Sequence, residues 1–154
     1  MITLYESDTH KNVFFNDLAA GHMIQANQHI IVDNKEGILM DPGGHKVHTK
    51  LFAALGPVLP LANLKHIFFS HQDPDIVAAM NAWLMLTDAT GHLSGLWSRF
   101  VTHFGIDKLV VDRLIEIPDN GKTLMLGSNP LKFVPAHFLH SCGNFQLYDP
   151  VSKI

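Results

Sequence analysis

The chain changes character at residue 70, and that change constrains it more than any other feature. Lys65–Phe69 reads as an apolar strand, and it runs directly into Ser70-His71-Gln72-Asp73-Pro74-Asp75. In extended backbone, residues i, i+2 and i+4 point the same way. His71, Asp73 and Asp75 are therefore expected to face one spot just beyond the carboxyl end of a strand, where open α/β sheets place their ligands. An imidazole and two carboxylates aimed at one place make half of a metal site. Helix chemistry reads the same residues differently. Asp73 before Pro74 is a good N-cap followed by proline at the first helical position, and Asp75 in the first turn suits the macrodipole. The residues alone leave the two readings level. They are also compatible, since a helix can start inside a metal-binding loop.

Composition narrows the class. The 154 residues are 47% hydrophobic and 16% charged, which suits one globular domain with a real core. A net charge of -3 gives no nucleic-acid footprint. The single cysteine, Cys142, excludes an intramolecular disulfide and a cysteine-rich zinc site, and fits a reducing cytoplasm. The N-terminus lacks the basic and apolar regions of a secretory signal, and no apolar run is long enough to span a membrane. Most of the eleven histidines read as ordinary surface or core residues.

Along the chain, Met1–Tyr5, Val13–Phe15, His22–Gln25, Gln28–Val32 and Gly37–Met40 read as short strands of an opening β-meander. Asp41-Pro42-Gly43-Gly44 breaks it. Val47, Leu51, Ala54 and Leu55 recur at helical spacing until Gly56-Pro57. After the strand Lys65–Phe69, a helix is expected from Pro74 to Thr87 with Ile76, Met80, Trp83 and Leu84 inward. A third carries Leu93, Leu96, Trp97, Phe100 and Phe104 and ends near Gly105. Strands return at Leu109–Val111, Leu114–Ile117, Thr123–Leu126, Leu131–Val134 and Asn144–Tyr148. The order predicts a mixed sheet, or two stacked sheets, with helices outside. Tyr148–Ile154 reads as a strand, a turn and the first residue of another strand. That pattern suggests a fragment, or missing strands supplied by another chain.

A second polar turn, Leu139-His140-Ser141-Cys142-Gly143-Asn144, lies between two apolar strands. With it the chain resembles the metallo-β-lactamase superfamily, and within it the diiron domain of flavodiiron proteins. Gln28–Val32 with Gly37–Gly43 resembles the opening strands and their Asp-Pro-Gly turn. Ser70–Asp75 resembles the His-x-Glu-x-Asp ligand motif, Leu139–Asn144 the next ligand turn, and Phe145–Ile154 the strand and turn before a further Asp ligand. The resemblance implies an α/β, αββα sandwich spanning residues 1–154 as a single domain, incomplete at its C-terminal side. It implies that His71, Asp73 and His140 hold one ion and Asp75 the other, with the family's bridging Asp and last His lying downstream.

The departures from the family carry information. Asp73 replaces the usual longer Glu, and Ile76 stands where many members have His. A His-plus-carboxylate set favours two iron ions over zinc. The Asp73-Pro74-Asp75 variant is similar to oxygen-binding diiron proteins that lack a flavodoxin domain. The expected function is therefore dioxygen binding, for sensing or slow reduction, with an electron donor or signalling protein as partner and a homo-oligomeric state. A dinuclear zinc hydrolase acting on an ester, thioester or lactam is the alternative, and a metal-free contact module is a third. Among the remaining residues, Asp41 reads as a turn residue or as a hydrogen-bonding brace of the site. His45 and His48 read as exposed, His137 as structural, Cys142 as a small buried residue, and Trp83 and Trp97 as core.

Overall fold

In the computed structural model, which describes residues 1–154, the chain forms a seven-stranded and a three-stranded sheet. The large sheet runs in sequence order: β1 (Ile2–Glu6), β2 (His10–Phe15), β3 (Gln28–Asp33), β4 (Glu36–Met40), β5 (Leu64–Phe68), β6 (Thr90–Ser94) and β7 (Leu114–Ile117). From β1 to β4 the pairing is antiparallel, and from β4 to β7 it is parallel. The reason is local. Asn34 and Lys35 both adopt positive φ, 47° and 71°, which closes β3 onto β4 in a two-residue hairpin. Parallel neighbours need crossovers instead. These are supplied by α1 (His45–Leu55), by α2 (Pro74–Val77) followed by α3 (Met80–Leu86), and between β6 and β7 by two 3₁₀ segments. The small sheet is the antiparallel set β8 (Lys122–Leu126), β9 (Asn129–Pro135) and β10 (Phe145–Tyr148).

Successive residues of the central strands face opposite layers. Ile30, Leu39 and Ile67 meet Val47, Leu51, Trp83 and Leu84 on the helical side. Their neighbours Ile31, Ile38 and Phe68 meet Leu126, Leu131, Phe133, Phe145 and Leu147 of the small sheet. Burial on both faces explains why these strands read as continuous apolar runs. Trp83 and Trp97 are both core, as the sequence suggests.

Four expected elements differ. His22–Gln25 is not a strand: β2 pairs directly with β3, from His10 opposite Asp33 to Phe15 opposite Gln28, leaving no edge for it. The helix expected over Pro74–Thr87 is broken at Ala78-Ala79, because the Ala79 N–H leaves the helical ladder and donates to the Gly43 carbonyl at 3.3 Å. Its inward residues stay buried all the same. The third expected helix is instead strand β6 followed by a 3₁₀ segment, Ser98–Phe104, which stops at left-handed Gly105. Gly91 lets β6 pack tightly here: a Cβ on it would lie 2.6 Å from the Leu114 side chain. Leu109–Val111 is a turn leading into a 3₁₀ segment, with Leu109 exposed.

Two polar groups sit inside the layer between the sheets. His10 is buried between Asp33 and Asp149. Its Nδ1 lies 3.0 Å from Asp33 Oδ1 and its Nε2 2.7 Å from Asp149 Oδ2. Carboxylates only accept and a neutral imidazole offers one N–H, so this trio shares one further proton. Burial pushes the Asp33 carboxyl up, but hydrogen bonds from His10, Ser128, Asn129 and Asn34 outweigh it and hold it below the usual range. The trio ties β2 and β3 to the turn after β10, where the Asp149 N–H also donates to the Ile154 carbonyl at 2.8 Å. Farther along the layer, His92 Nε2 lies 3.1 Å from His66 Nδ1, and burial, then His66 and Lys122, push the His92 pKa down to about 3. Among the helices, none is long and apolar enough to cross a membrane.

Two outcomes follow from these groups. His10→Ala removes the imidazole shared by two buried carboxylates and leaves them only their remaining hydrogen bonds, and is expected to cost about 3–5 kcal/mol in urea unfolding. The stability that neutral His92 contributes is complete above pH 6.5 and is lost as pH falls toward 3. His92→Phe is therefore expected to reduce the slope of unfolding free energy against pH in that window by about 1.4 kcal/mol per pH unit, measured by denaturant titration across the range.

Candidate metal centre

The ends of β4 and β5 lie side by side, and the first polar residue after each meets the other. Asp41 follows β4 with a positive φ of 50°. Its N–H donates to the Phe68 carbonyl at 2.8 Å, and its carboxylate accepts from the Ser70 N–H and the Ser70 hydroxyl, both at 2.7 Å. Asp41 is thus the brace that was the alternative to a bare turn. Burial raises its carboxyl pKa to about 6, against the Ser70 hydrogen bonds and with help from the negative charge of Asp75. Ser70 Oγ also lies 2.9 Å from His71 Nδ1.

Beyond Ser70, three donor side chains converge. His140 Nε2 is 2.9 Å from Asp73 Oδ2, and His71 Nε2 is 3.7 Å from the same oxygen. The two imidazole rings meet at 64° with centroids 4.4 Å apart. One ligand atom from each of His71, Asp73 and His140 lies within 4.8 Å of the others. Burial, then the neighbouring His140, lower the His71 pKa, while Asp73 and Asp75 act the other way. A lowered pKa keeps a lone pair available for a cation at neutral pH.

Asp73 separates the two readings of the sequence. It does occupy the N-cap position of α2, with Pro74 next, and its backbone is extended at φ -69°, ψ 148° as a residue before proline must be. Its side chain makes no capping bond. The N–H groups of Ile76 and Val77 are met by the Asp73 backbone carbonyl, at 2.9 and 3.0 Å, and the carboxylate turns to the histidines. The helix that starts at Pro74 also ends the extended alternation. Asp75 sits in the first turn of α2 and lines the same cavity, outside the three-residue cluster.

The loop carrying His140 is held from two sides. The Phe145 N–H donates to the Ser70 carbonyl at 3.0 Å, and Trp97 Nε1–H donates to the Gly143 carbonyl at 3.3 Å. Gly143 has a φ of 81°, and a Cβ there would lie 2.7 Å from Ser94 Oγ, so the turn requires glycine. The three side chains open onto a cavity of about 910 Å³ whose walls include Met40, Phe68, Ile76 and Phe145.

Other histidines fall elsewhere. His45 is exposed, but His48 is half-buried against Trp83, with ring centroids 4.9 Å apart. His137 packs on Phe145 and contacts the Asp119 carbonyl, a structural role as expected. Cys142 is exposed rather than buried, in the tight turn that includes Gly143. Ile76 is in the core. Sequence reasoning missed Ser70 as the bridge between Asp41 and His71. It also missed His29, which lines the cavity and stacks on Phe14 at 4.9 Å.

Two imidazoles and one carboxylate with open positions are the donor set of non-haem iron(II) centres. The residues present therefore fit such an ion. Helices, a mixed sheet and a second sheet, with donors at the strand ends, give the fold seen in a metallo-beta-lactamase and in a rubredoxin oxygen:oxidoreductase. The family model described as "ODP family beta lactamase" matches residues 24–154, and the chain belongs to that family. It is similar to the solved structure titled "Peroxy diiron species of chemotaxis sensor ODP", at 36% identity and a TM-score of 0.83, covering 96% of this chain and 58% of that one. Similarity to the apo state of the chemotaxis sensor ODP from T. denticola is 34%, with a TM-score of 0.79 and the same coverage. The rubredoxin oxygen:oxidoreductase of Desulfovibrio gigas shares the fold, with 16% identity, a TM-score of 0.75, and coverage of 96% of this chain and 38% of that one. The chain thus spans 58% of the length of the two ODP structures. A search of curated proteins finds no match.

Replacing His140 by Ala removes a candidate donor that is 55% exposed. Affinity for a divalent ion is expected to fall by more than about 100-fold, beyond the range for losing an outer hydrogen-bond partner. Stability of the metal-free protein is expected to change by less than about 0.5 kcal/mol. Chelator competition and urea unfolding check the two halves of this expectation.

Proposed function

We propose that this chain is a diiron domain that binds dioxygen, for oxygen sensing or slow oxygen reduction. The observation that carries this reading is the Asp73 carboxylate, free of its capping duty and shared by His71 and His140. In this reading His71, Asp73 and His140 hold one iron, and Asp75 contributes to a second. Iron supplies the electrons for binding oxygen when it is present. The chain's own residues do the rest. His71 and His140 offer imidazole nitrogens, and Asp73 adds a carboxylate that favours the more oxidised metal. Met40, Phe68, Ile76 and Phe145 give the cavity apolar walls, which admit an apolar gas and limit water.

Similarity to the chemotaxis sensor ODP, in its apo state and as a peroxy diiron species, supports sensing over hydrolysis. We further propose that residues 1–154 act as one unit in a reducing cytoplasm, as the single unpaired Cys142 suits. An electron donor or signalling protein would be the partner, and the assembly a homo-oligomer.

The test is anaerobic loading of the protein with ferrous iron, followed by exposure to oxygen in a rapid-mixing spectrophotometer. A new visible charge-transfer band and about two irons per chain by elemental analysis are expected, in line with a His-carboxylate site. Iron retained with no spectral response, or zinc retained with esterase or thioesterase turnover, would overturn the proposal.

A further inference from the structure

Three contacts meet at Ser70. Its N–H donates to Asp41 Oδ1 at 2.7 Å, its hydroxyl donates to Asp41 Oδ2 at 2.7 Å, and its Oγ lies 2.9 Å from His71 Nδ1. A serine hydroxyl has one hydrogen and two acceptor positions, and an ionised carboxylate can only accept. The single hydroxyl hydrogen is therefore committed to Asp41. The remaining contact, to His71, takes its hydrogen from the imidazole. A neutral imidazole has one N–H to give, so Nδ1 carries it and Nε2 keeps its lone pair. Nε2 is the nitrogen that faces Asp73 Oδ2, at 3.7 Å.

We propose that Ser70 is a positioning residue: relayed from Asp41, its hydroxyl selects the Nδ1–H tautomer of His71 and so aims a bare Nε2 at the cation site. The inference rests on the reading of His71 as a metal ligand only for its consequence, since the tautomer exists without metal. The tautomer of a histidine is set by the hydrogen bond its other nitrogen makes. Here that bond is directional, running from His71 to Ser70 to Asp41. The backbone of residue 70 has a separate structural task. Its N–H anchors to Asp41 and its carbonyl accepts from the Phe145 N–H at 3.0 Å. Any residue but proline at position 70 can make both of those bonds. Only the hydroxyl reaches His71, which separates tautomer control from loop anchoring.

Long-range proton–nitrogen NMR of the imidazole nitrogens in the metal-free full chain reads the tautomer directly. The measurement is made at pH 8, above the Asp41 pKa of about 6. The wild-type protein is expected to show His71 as Nδ1–H. Ser70→Ala is expected to lose that preference and to bind ferrous iron about 10–100-fold more weakly in anaerobic chelator competition. Ser70→Thr restores both. Asp41→Asn gives the relay a donor at its far end. The hydroxyl can then turn to His71 Nδ1, and Nε2–H is expected. An unchanged Nδ1–H signal in Ser70→Ala, or a Ser70→Thr variant that behaves like Ala, overturns the proposal. Failure of the wild-type protein to bind ferrous iron overturns the proposed function instead, and leaves the tautomer result standing.

Discussion

One backbone hydrogen bond, from the Phe145 N–H to the Ser70 carbonyl, joins the two loops on which the site depends. Ser70 and His71 leave the large sheet at the end of β5, while His140 hangs from the loop before β10 in the small sheet. This link adds to the contact of His140 with a half-exposed carboxylate and to the bond from Trp97 Nε1–H to the Gly143 carbonyl. The link is possible because Phe68 and Phe145 belong to the same buried layer between the sheets. Apolar burial brings the strand ends together, and the hydrogen bond sets their relative height. The proposed metal chemistry would thus be grafted onto a seam that the hydrophobic core closes.

Much of this could be read in the sequence, and the exceptions have physical causes. Strands β3, β4 and β5 announce themselves by their apolar runs and turn residues, and His71 and Asp73 by their position after a strand, whereas His140 stands out only through the family resemblance. The region from Leu93 to Phe104 was misread because its apolar spacing suits a helix, whereas pairing with β5 decides that β6 is a strand. The break between α2 and α3 depends on a carbonyl at Gly43, distant in sequence, that no helical pattern reveals. Asp75 was expected to share the alternation of an extended segment, but Pro74 had already turned the chain into a helix. The buried trio of His10, Asp33 and Asp149 was invisible for a similar reason. Its members lie on two strands and a turn that only the tertiary fold brings together.

The two buried histidine groups and the candidate centre divide the polar chemistry of the inter-sheet layer. His10 sits between two carboxylates, with every ring nitrogen partnered. His66 and His92 hydrogen-bond to one another and to Thr90, and burial keeps His92 neutral. In that pair the second nitrogen of His92 has no hydrogen-bond partner. A metal-ligating imidazole normally donates its other N–H, so this pair is unsuited to holding an ion. His71 differs in having both requirements met. One nitrogen is engaged by Ser70 and the other faces the opening shared with Asp73 and His140.

The proline after Asp73 has a kinetic consequence. Its ring confines the preceding residue to extended backbone, so the main chain of the ligand loop is set during folding and not when an ion arrives. At the proposed centre, capture would then begin with His140 releasing Asp73. Such uptake should be paced by water leaving the incoming cation, with little further entropy lost from the protein itself.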